Sequence, residues 1–287
     1  MKRKLCKLIG ICLIVLATTA CGSKPKDNES AYYKRVGEYE ETGETGLYEP
    51  SDKDVEVAIG SKTGNRTEPK PSPTEAPKRE YIVVLDPGHG GIWSGAEYDG
   101  RVEKDENLKH ALLLKQQLEE QCDHIRIYMT RTDDTTMSND NKEDLELRVK
   151  FAKEKNADIF VSLHLNASEK AGTSHGSMVC VSNQPSIHDR SEILANCILS
   201  RLQGLGLENR GPYLRNSNDT KDADGKPLDY YAINRHGAKY GVVAIILESC
   251  YMDSKTDIPF FATEEAMTKM AKEEAAGILD YLEHMTE

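Results

Sequence analysis

The stretch VVLDPGHGG (Val83–Gly91) places one histidine among three glycines directly after a run of branched apolar residues. Such a run, followed by Pro and Gly, is typical of a buried strand that ends in a turn. The glycines lack Cβ atoms, so the backbone can turn sharply around His89 and a ligand can approach it closely. The stretch therefore predicts a strand that presents His89 at its carboxyl end.

Downstream of this stretch, strand patterns alternate with helix patterns. Further apolar or alternating runs are IRIYMT, ADIFVSLH and GVVAIILES, and the runs with helical spacing are ENLKHALLLKQQLEE, LELRVKFAKEKN, SEILANCILSRLQGLG and EEAMTKMAKEEAAGILDYLEHM. Strands that alternate with helices indicate an α/β fold with helices packed on a sheet. We therefore predict one folded α/β domain over residues 80–287.

Three of the predicted strands lead to a residue that can bind a metal or move a proton: His89, His164 and Glu248. The carboxyl ends of strands form the ligand crevice of open α/β sheets, so we expect these side chains to meet at one edge. The segment EYDGRVEKDENL, predicted as a loop before the first helix, adds five further acidic candidates. These are Glu97, Asp99, Glu103, Asp105 and Glu106.

Two imidazoles and one carboxylate form a typical catalytic zinc site with an open fourth position, and a separate carboxylate can then accept a proton. The residues alone leave two points open. A histidine at a strand end is often only a hydrogen-bonded core residue, and the pattern does not choose among the five acids of the loop.

The motifs VLDPGHGG, EKDENL, SLHLNAS and IILESCYMDS, in this order, resemble the N-acetylmuramoyl-L-alanine amidase family of zinc-dependent bacterial cell-wall amidases. TRTDD and LRVKFAKEKNAD add to the resemblance, which covers residues 80–285. It implies a mixed sheet of about six strands with helices on both faces. It also implies hydrolysis of the amide between N-acetylmuramic acid and L-alanine in peptidoglycan.

By position, the resemblance makes His89, Glu103 and His164 the ligands of a Zn²⁺ ion and Glu248 the catalytic glutamate. No other cofactor is implied. Two alternatives remain open. One is a non-catalytic, peptidoglycan-binding lipoprotein with an amidase-like fold, and the other is a zinc hydrolase that acts on a different amide.

The sequence departs from the family pattern after the glutamate, where Cys250 replaces a glycine and Asp253-Ser254 replaces a Ser-Asn pair. In an extended strand Cys250 would point the same way as Glu248, and we expect a buried thiol, not a nucleophile. The pattern does not decide between free and paired cysteines. We expect His110, within the leucine-rich helix, to be solvated or only partly packed.

Residues 216–240, before the last core strand, form a longer segment than the family pattern requires. We expect a rim loop and a hairpin there. The segment either contacts glycan or peptide or is a solvated insertion.

The N-terminal region differs in composition from the domain. Residues 1–20 combine basic residues with an apolar run, as in a secretory signal, and end before Cys21-Gly22-Ser23. This resembles a bacterial lipoprotein signal with Cys21 as the lipidated residue, the alternatives being an ordinary cleaved signal or a membrane anchor. Residues 21–79 are polar and proline-rich, which predicts a disordered tether. We expect the domain to be held at the outer face of the cytoplasmic membrane, or to be secreted.

The formal net charge is −11, and the predicted signal carries several of the basic residues. Because nucleic-acid binding needs basic surface, we expect no nucleic-acid partner. The expected partners are peptidoglycan and, through Cys21, the membrane. Nothing in the sequence requires more than a monomer.

Overall fold

The computed structural model describes residues 79–168 and 170–285, and the predicted signal peptide, tether and lipid anchor at Cys21 lie outside them. The strands in chain order are β1 (Tyr81–Pro87), β2 (Glu97–Tyr98), β3 (Arg101–Val102), β4 (Ile125–Met129), β5 (Ile159–Asn166), β6 (Ser177–Cys180), β7 (Asn209–Tyr213), β8 (Asn216–Lys221), β9 (Pro227–Asp229) and β10 (Val243–Tyr251). The helices are α1 (Glu103–Gln121), α2 (Asn141–Glu154), α3 (His188–Leu205), α4 (Ala232–Tyr240), α5 (Ile258–Phe261) and α6 (Glu264–His284).

One six-stranded sheet, in the order β4–β1–β5–β10–β6–β7, forms the centre of the domain. The pairs of β1 with β4 and β5, of β5 with β10, and of β6 with β7 are parallel, whereas β6 runs antiparallel to β10. The predicted mixed six-stranded sheet is therefore confirmed. Because β1, β5 and β10 are parallel neighbours, their carboxyl ends lie at the same edge.

Helices cover both faces of this sheet, as expected. On one face the apolar side chains of α1, α3 and α6 pack against the sheet around residues such as Leu114, Leu194 and Met270. On the other face α2 and α4 bury a smaller set that includes Val149 and Ile233. Both faces of the central strands are consequently buried from solvent, which explains why β1, β5 and β10 are apolar along nearly their whole length.

Local signals in the sequence account for several helix ends. The Asp140 carboxylate accepts hydrogen bonds from the backbone N–H groups of Lys142 and Glu143, at 2.9 and 3.0 Å, and so caps the start of α2. Gly206, with φ of 112°, ends α3 in the left-handed conformation that glycine adopts without strain.

His110 is an exception to the sequence-based expectation, because it is completely buried between α1 and α6. Its Nε2 atom forms a hydrogen bond with the equally buried Glu274, whose other oxygen accepts a hydrogen bond from Ser249 Oγ at 2.7 Å. The prediction of a solvated or partly packed histidine was therefore wrong. Helical periodicity could not reveal a polar partner that lies 164 residues away in the chain.

The segment before the last core strand forms the predicted hairpin, made by β8 and β9, and continues into α4. Cys122, Cys180, Cys197 and Cys250 are all free thiols. Among the residues that the structure describes, no helix has the length and apolar character needed to cross a membrane.

Candidate active site

The turn after β1 holds His89 in an unusual backbone conformation. His89 has φ of 63°, a left-handed value that costs a non-glycine residue about 1–3 kcal/mol. Buried guanidinium groups hold this turn in place. Arg148 donates to the His89 carbonyl at 2.8 Å, and Arg131 donates to the carbonyl oxygens of Pro87 and Gly88 at 2.9 and 3.1 Å. The turn is thus fixed by side chains from α2 and from the segment after β4.

His164 lies on β5 against the backbone of the same turn. A Cβ atom at Gly88 would be 2.2 Å from His164 Nε2, so only glycine fits there. The Gly88 N–H donates to the Leu163 carbonyl at 2.9 Å, which extends the β1–β5 pairing up to this point. The glycine thereby lets the two histidine-bearing segments approach each other.

Glu103 is the first residue of α1, and not part of a loop as the sequence suggested. The short β2–β3 hairpin leads into this helix, and Glu103 Oε2 accepts a hydrogen bond from the Ala96 N–H at 2.8 Å. Asn107, one turn later, donates to the Gly88 carbonyl at 3.2 Å and lies 3.4 Å from Glu103 Oε1. These contacts aim the buried carboxylate at the two histidines.

The three side chains meet at one point. Glu103 Oε1 lies 3.2 Å from His89 Nε2 and 3.0 Å from His164 Nδ1, and one ligand atom from each residue lies within 4.8 Å of the others. Donor atoms bound to one zinc ion at about 2.1 Å lie about 3.4 Å apart in a tetrahedron, so the donor types and spacings fit a zinc ion. Within residues 79–168 and 170–285, the other four acids of this segment do not belong to the group.

The charges within this group are coupled. Burial by itself raises the pKa of Glu103, but hydrogen bonds and charge from His164 and His89 outweigh it and bring the pKa far below its ordinary value. Burial lowers the pKa of His164, and Glu103 more than compensates, so that this pKa is raised. Glu103 is therefore an ionised carboxylate, which is the form that binds a cation.

Glu248 on β10 stands beside this group. It is in register with His164 on β5 and with Met178 on β6. Its Oε2 atom is buried and has no hydrogen-bond partner within the described part of the chain. Burial raises the pKa of Glu248 to about 7, although the charge of His164 opposes this shift. An unpaired carboxylate oxygen with such a pKa can accept and return a proton near neutral pH.

Immediately after Glu248 the register of β10 shifts, and this shift decides the direction of Cys250. Ser249 Oγ donates to Glu274, and Cys250 Sγ lies 3.5 Å from Met270 Sδ, so two successive side chains both contact α6. Cys250 therefore lies in the core layer of Leu247 and does not share the direction of Glu248. The buried thiol was predicted correctly, whereas its predicted direction was wrong, because an extended strand without a bulge was assumed.

Asp253, the other departure from the family pattern, has a structural contact. Its carboxylate accepts hydrogen bonds from the N–H groups of Ser168 and Gly172, at 3.1 and 2.7 Å. It thereby ties the segment after β5 to the end of β10 and does not reach the histidines.

Beneath the site, Asp86 and Arg148 form a buried ion pair at 2.8 Å. Arg148 also pairs with Asp144 at 2.7 Å, and Asp86 accepts hydrogen bonds from Ser162 and Thr130. Arg148 thus connects α2 with β1 and with the His89 turn. In the sequence, the aspartate of the LDPGHG motif is the signal that indicates a buried carboxylate at the end of β1.

A groove of about 580 Å³ includes in its lining Met178, the register partner of Glu248, and sequence reasoning missed the residues that line it. They come from separate elements and share no motif: Asn166, Met178, Glu208, Arg210, Tyr213, Tyr231 and Tyr251. The groove continues from Met178 across β6 and β7.

Comparison with known proteins agrees with this geometry. The family model of N-acetylmuramoyl-L-alanine amidase matches residues 83–280. The chain is 34% identical over 128 residues to amidase AmiC of Escherichia coli O6:H1 and 37% identical over 103 residues to the germination-specific amidase of Bacillus subtilis. The AmiC match covers 44% of this chain and 29% of AmiC, and the match to the germination-specific amidase covers 33% of this chain and 43% of that protein. The chain therefore matches less than half of the length of either relative.

A solved N-acetylmuramoyl-L-alanine amidase from Clostridium difficile 630 superposes with a TM-score of 0.58 at 28% identity, covering 72% of this chain and 98% of that one. The family match extends over more than half of the chain and spans the sheet edge at which His89, Glu103, His164 and Glu248 meet. The chain belongs to the N-acetylmuramoyl-L-alanine amidase family.

Proposed function

We propose that this protein is a zinc-dependent cell-wall hydrolase that cleaves the amide between N-acetylmuramic acid and L-alanine in peptidoglycan. One observation carries the proposal: His89, Glu103 and His164 converge beside Glu248, whose buried Oε2 has no partner among the described residues. Family membership supports the choice of this amide.

In this proposal His89, Glu103 and His164 hold the zinc ion. A zinc ion bound there supplies a Lewis acid for the scissile carbonyl and lowers the pKa of water. The ionised Glu103 provides the negative charge of the ligand set, and the backbone contacts of Gly88 and Ala96 keep the donors in place.

Glu248 moves the proton of the reaction. Its Oε2 accepts a proton from water as the water oxygen attacks the carbonyl carbon of the lactyl group. The carbon–nitrogen bond then breaks, and Glu248 returns the proton to the amine of L-alanine. No covalent bond to the protein forms, so the reaction needs no cysteine or serine nucleophile.

The central test uses purified protein, zinc and isolated sacculi. We expect mass spectrometry to detect released stem peptides that begin with L-alanine. Glu248→Gln should keep the fold and bound zinc and reduce the rate about 10²–10⁴-fold, because it cannot accept the proton. Hydrolysis at the wild-type rate by this variant would refute the assigned role.

The metal assignment has its own test. We expect one zinc ion per chain by elemental analysis, loss of hydrolysis with a chelator and recovery on readdition of zinc. Glu103→Gln should lower zinc occupancy, whereas Glu97→Gln, from the same acidic segment but outside the cluster, should not. Full zinc occupancy in Glu103→Gln would contradict the ligand set.

The non-catalytic alternative drew its support from the departures at Cys250 and Ser254. Cys250 packs against Met270 in the core, and Ser254 Oγ accepts a hydrogen bond from the Asp257 N–H at 3.2 Å, so these contacts leave Glu248 and the three proposed ligands untouched. A different scissile amide would yield products that do not begin with L-alanine, and the sacculus digest detects them directly.

We further propose that the enzyme acts outside the cytoplasm as a lipoprotein attached through Cys21. The signal-like residues 1–20 and the polar residues 21–79 support this. The tether would let the domain reach peptidoglycan from the outer face of the membrane.

A further inference from the structure

The end of the groove nearest to Glu248 is formed by Met178, Asn166 and Tyr251. Met178 is in register with Glu248, and its sulfur lies 3.4 Å from Asn166 Nδ2 and 3.8 Å from the Tyr251 hydroxyl. From there the groove crosses to β7, two strands away from β10, which is about 10 Å. Arg210 lines this outer part of the groove.

Arg210 and Arg215 differ from three arginines of this acidic chain that form ion pairs. Arg126, Arg148 and Arg201 each pair with a carboxylate. Within the described residues, neither Arg210 nor Arg215 has a carboxylate partner. Both groups are exposed, so their charge is available to a ligand.

Aromatic rings and one hydrogen bond orient the two guanidinium groups. Arg210 lies 5.6 Å from the centre of the Tyr251 ring and donates to the His175 carbonyl at 3.2 Å. Arg215 lies 3.6 Å from the centre of the Tyr230 ring and is close to Tyr213 and Tyr231, which line the groove. Among the described residues, most N–H donors of Arg210 thus form no hydrogen bond, while these two contacts fix the orientation of its side chain.

The acidic residue of the groove is already engaged. Glu208 Oε2 lies 2.6 Å from His175 Nε2, so its charge is directed toward that histidine. Arg210 therefore forms no ion pair with any residue that the structure describes. An anionic group of the ligand fits this position.

We propose that Arg210 is a specificity residue that binds a free carboxylate on the second residue of the stem peptide, with Arg215 adding to the positive potential. This rests on the proposed function, which puts the scissile amide at Glu248. One extended residue spans about 3.5 Å, so a carboxylate on the second residue lies about 7 Å from the scissile nitrogen. A long arginine side chain on β7 covers the remaining distance.

The first test measures binding without hydrolysis. The probes are the tripeptide L-Ala-γ-D-Glu-L-Lys and its analogue with the second-residue carboxylate amidated, titrated calorimetrically into the full zinc-free protein. A charge-assisted pair with guanidinium predicts about tenfold tighter binding of the acid form. Arg210→Gln should bind both forms equally.

Arg126→Gln is the matched control, because it removes the same charge at β4, the opposite edge of the sheet. It should discriminate between the two peptides as the wild type does. Equal affinity of the wild type for both peptides, no detectable binding, or discrimination that persists in Arg210→Gln would overturn the proposal.

The second test separates this proposal from the proposed function. With zinc-loaded enzyme and disaccharide peptides, Arg210→Gln should raise KM about tenfold for the acidic substrate, with little change in kcat and no change for the amidated substrate. If the wild type releases no peptide from either substrate, the proposed function fails, and the binding experiment still decides the role of Arg210. If hydrolysis occurs but Arg210→Gln leaves KM unchanged, only the present inference fails.

Discussion

At the scale of single residues, the site depends on how closely the turn after β1 approaches β5. His89 adopts a left-handed backbone conformation, and Gly88 touches the His164 ring at a distance that excludes a side chain. Neither residue could keep this geometry alone. The surrounding hydrogen bonds from Arg131 and Arg148 offset the strain of the turn.

Gly88→Ala should therefore impair zinc binding without unfolding the domain. The added methyl group would overlap His164 Nε2 and displace the ring, and we expect about 10–100-fold weaker zinc affinity, similar to the loss of an orienting group around a metal ligand. Competition with a chromogenic chelator measures this.

Gly204→Ala is the control for this change, because a Cβ atom there meets nothing within 4 Å and the backbone is not left-handed. It should leave zinc affinity unchanged and alter the free energy of unfolding by less than about 1 kcal/mol. Wild-type zinc affinity in Gly88→Ala would show that the turn can relax.

Protonation of Asp86 at low pH would weaken its ion pair with Arg148, which supports the site. Burial raises its pKa, but the charge of Arg148 and hydrogen bonds from Ser162, Thr130 and Arg148 outweigh this and lower it. A lowered pKa stabilises the fold above the unfolded-state pKa of about 3.9, and this stabilisation disappears as pH falls through the folded-state pKa.

Asp86→Asn should accordingly destabilise the protein by about 3 kcal/mol at pH 7, because it removes one of the two buried carboxylates that pair with Arg148. The difference from wild type should narrow as pH falls below about 4. Urea unfolding at a series of pH values measures both quantities. Asp280→Asn, which breaks an exposed pair with Arg201, should have a much smaller effect, and a difference for Asp86→Asn that stays constant with pH would contradict the linkage.

At the scale of elements, the register shift in β10 separates Glu248 from the packing side chains that follow it. The Glu248 Oε2 atom has no hydrogen-bond partner among the described residues, while Ser249 and Cys250 both contact α6. Burial raises the pKa of the Cys250 thiol well above its usual value, which keeps it protonated and unreactive. The family position that usually carries glycine thus holds a core residue in this chain.

Cys250→Ala should retain the wild-type rate of hydrolysis and lower the free energy of unfolding by about 1 kcal/mol, because the sulfur packs against Met270. Initial rates on muropeptide and thermal unfolding give the two numbers. A rate loss of about 10²-fold in a stably folded variant would instead assign a chemical role to the thiol.

At the scale of the whole molecule, three parallel strands of the mixed sheet bring together residues that are far apart in the chain. β1, β5 and β10 are neighbours, so His89, His164 and Glu248 arrive at one edge, and α1 starts at the same edge with Glu103. The residues before the domain would determine where the protein is located.

Cys21→Ala in the full chain should therefore change location and not activity. We expect the variant to lose radiolabelled fatty acid and to leave the membrane fraction, while purified protein hydrolyses muropeptide at the wild-type rate. A Cys21→Ala protein that still carries the label would refute lipidation at this residue.

The sequence by itself determined the α/β class, the strand that leads to His89 and the candidates His164 and Glu248. Each of these follows from local signals, namely apolar runs, glycines and the residue types at strand ends. Spacing alone could not choose Glu103 among five acids. That choice came from the resemblance to the family, and the structure places the same residue beside both histidines.

Only the tertiary structure decided which surfaces meet. The burial of His110 against Glu274, the bulge that turns Cys250 into the core and the groove lined by Arg210 all depend on contacts between distant elements. Periodicity reports which face of an element is apolar, but it does not report which partner covers that face. The details that shape the site are therefore set by packing across the sheet and are absent from any local pattern.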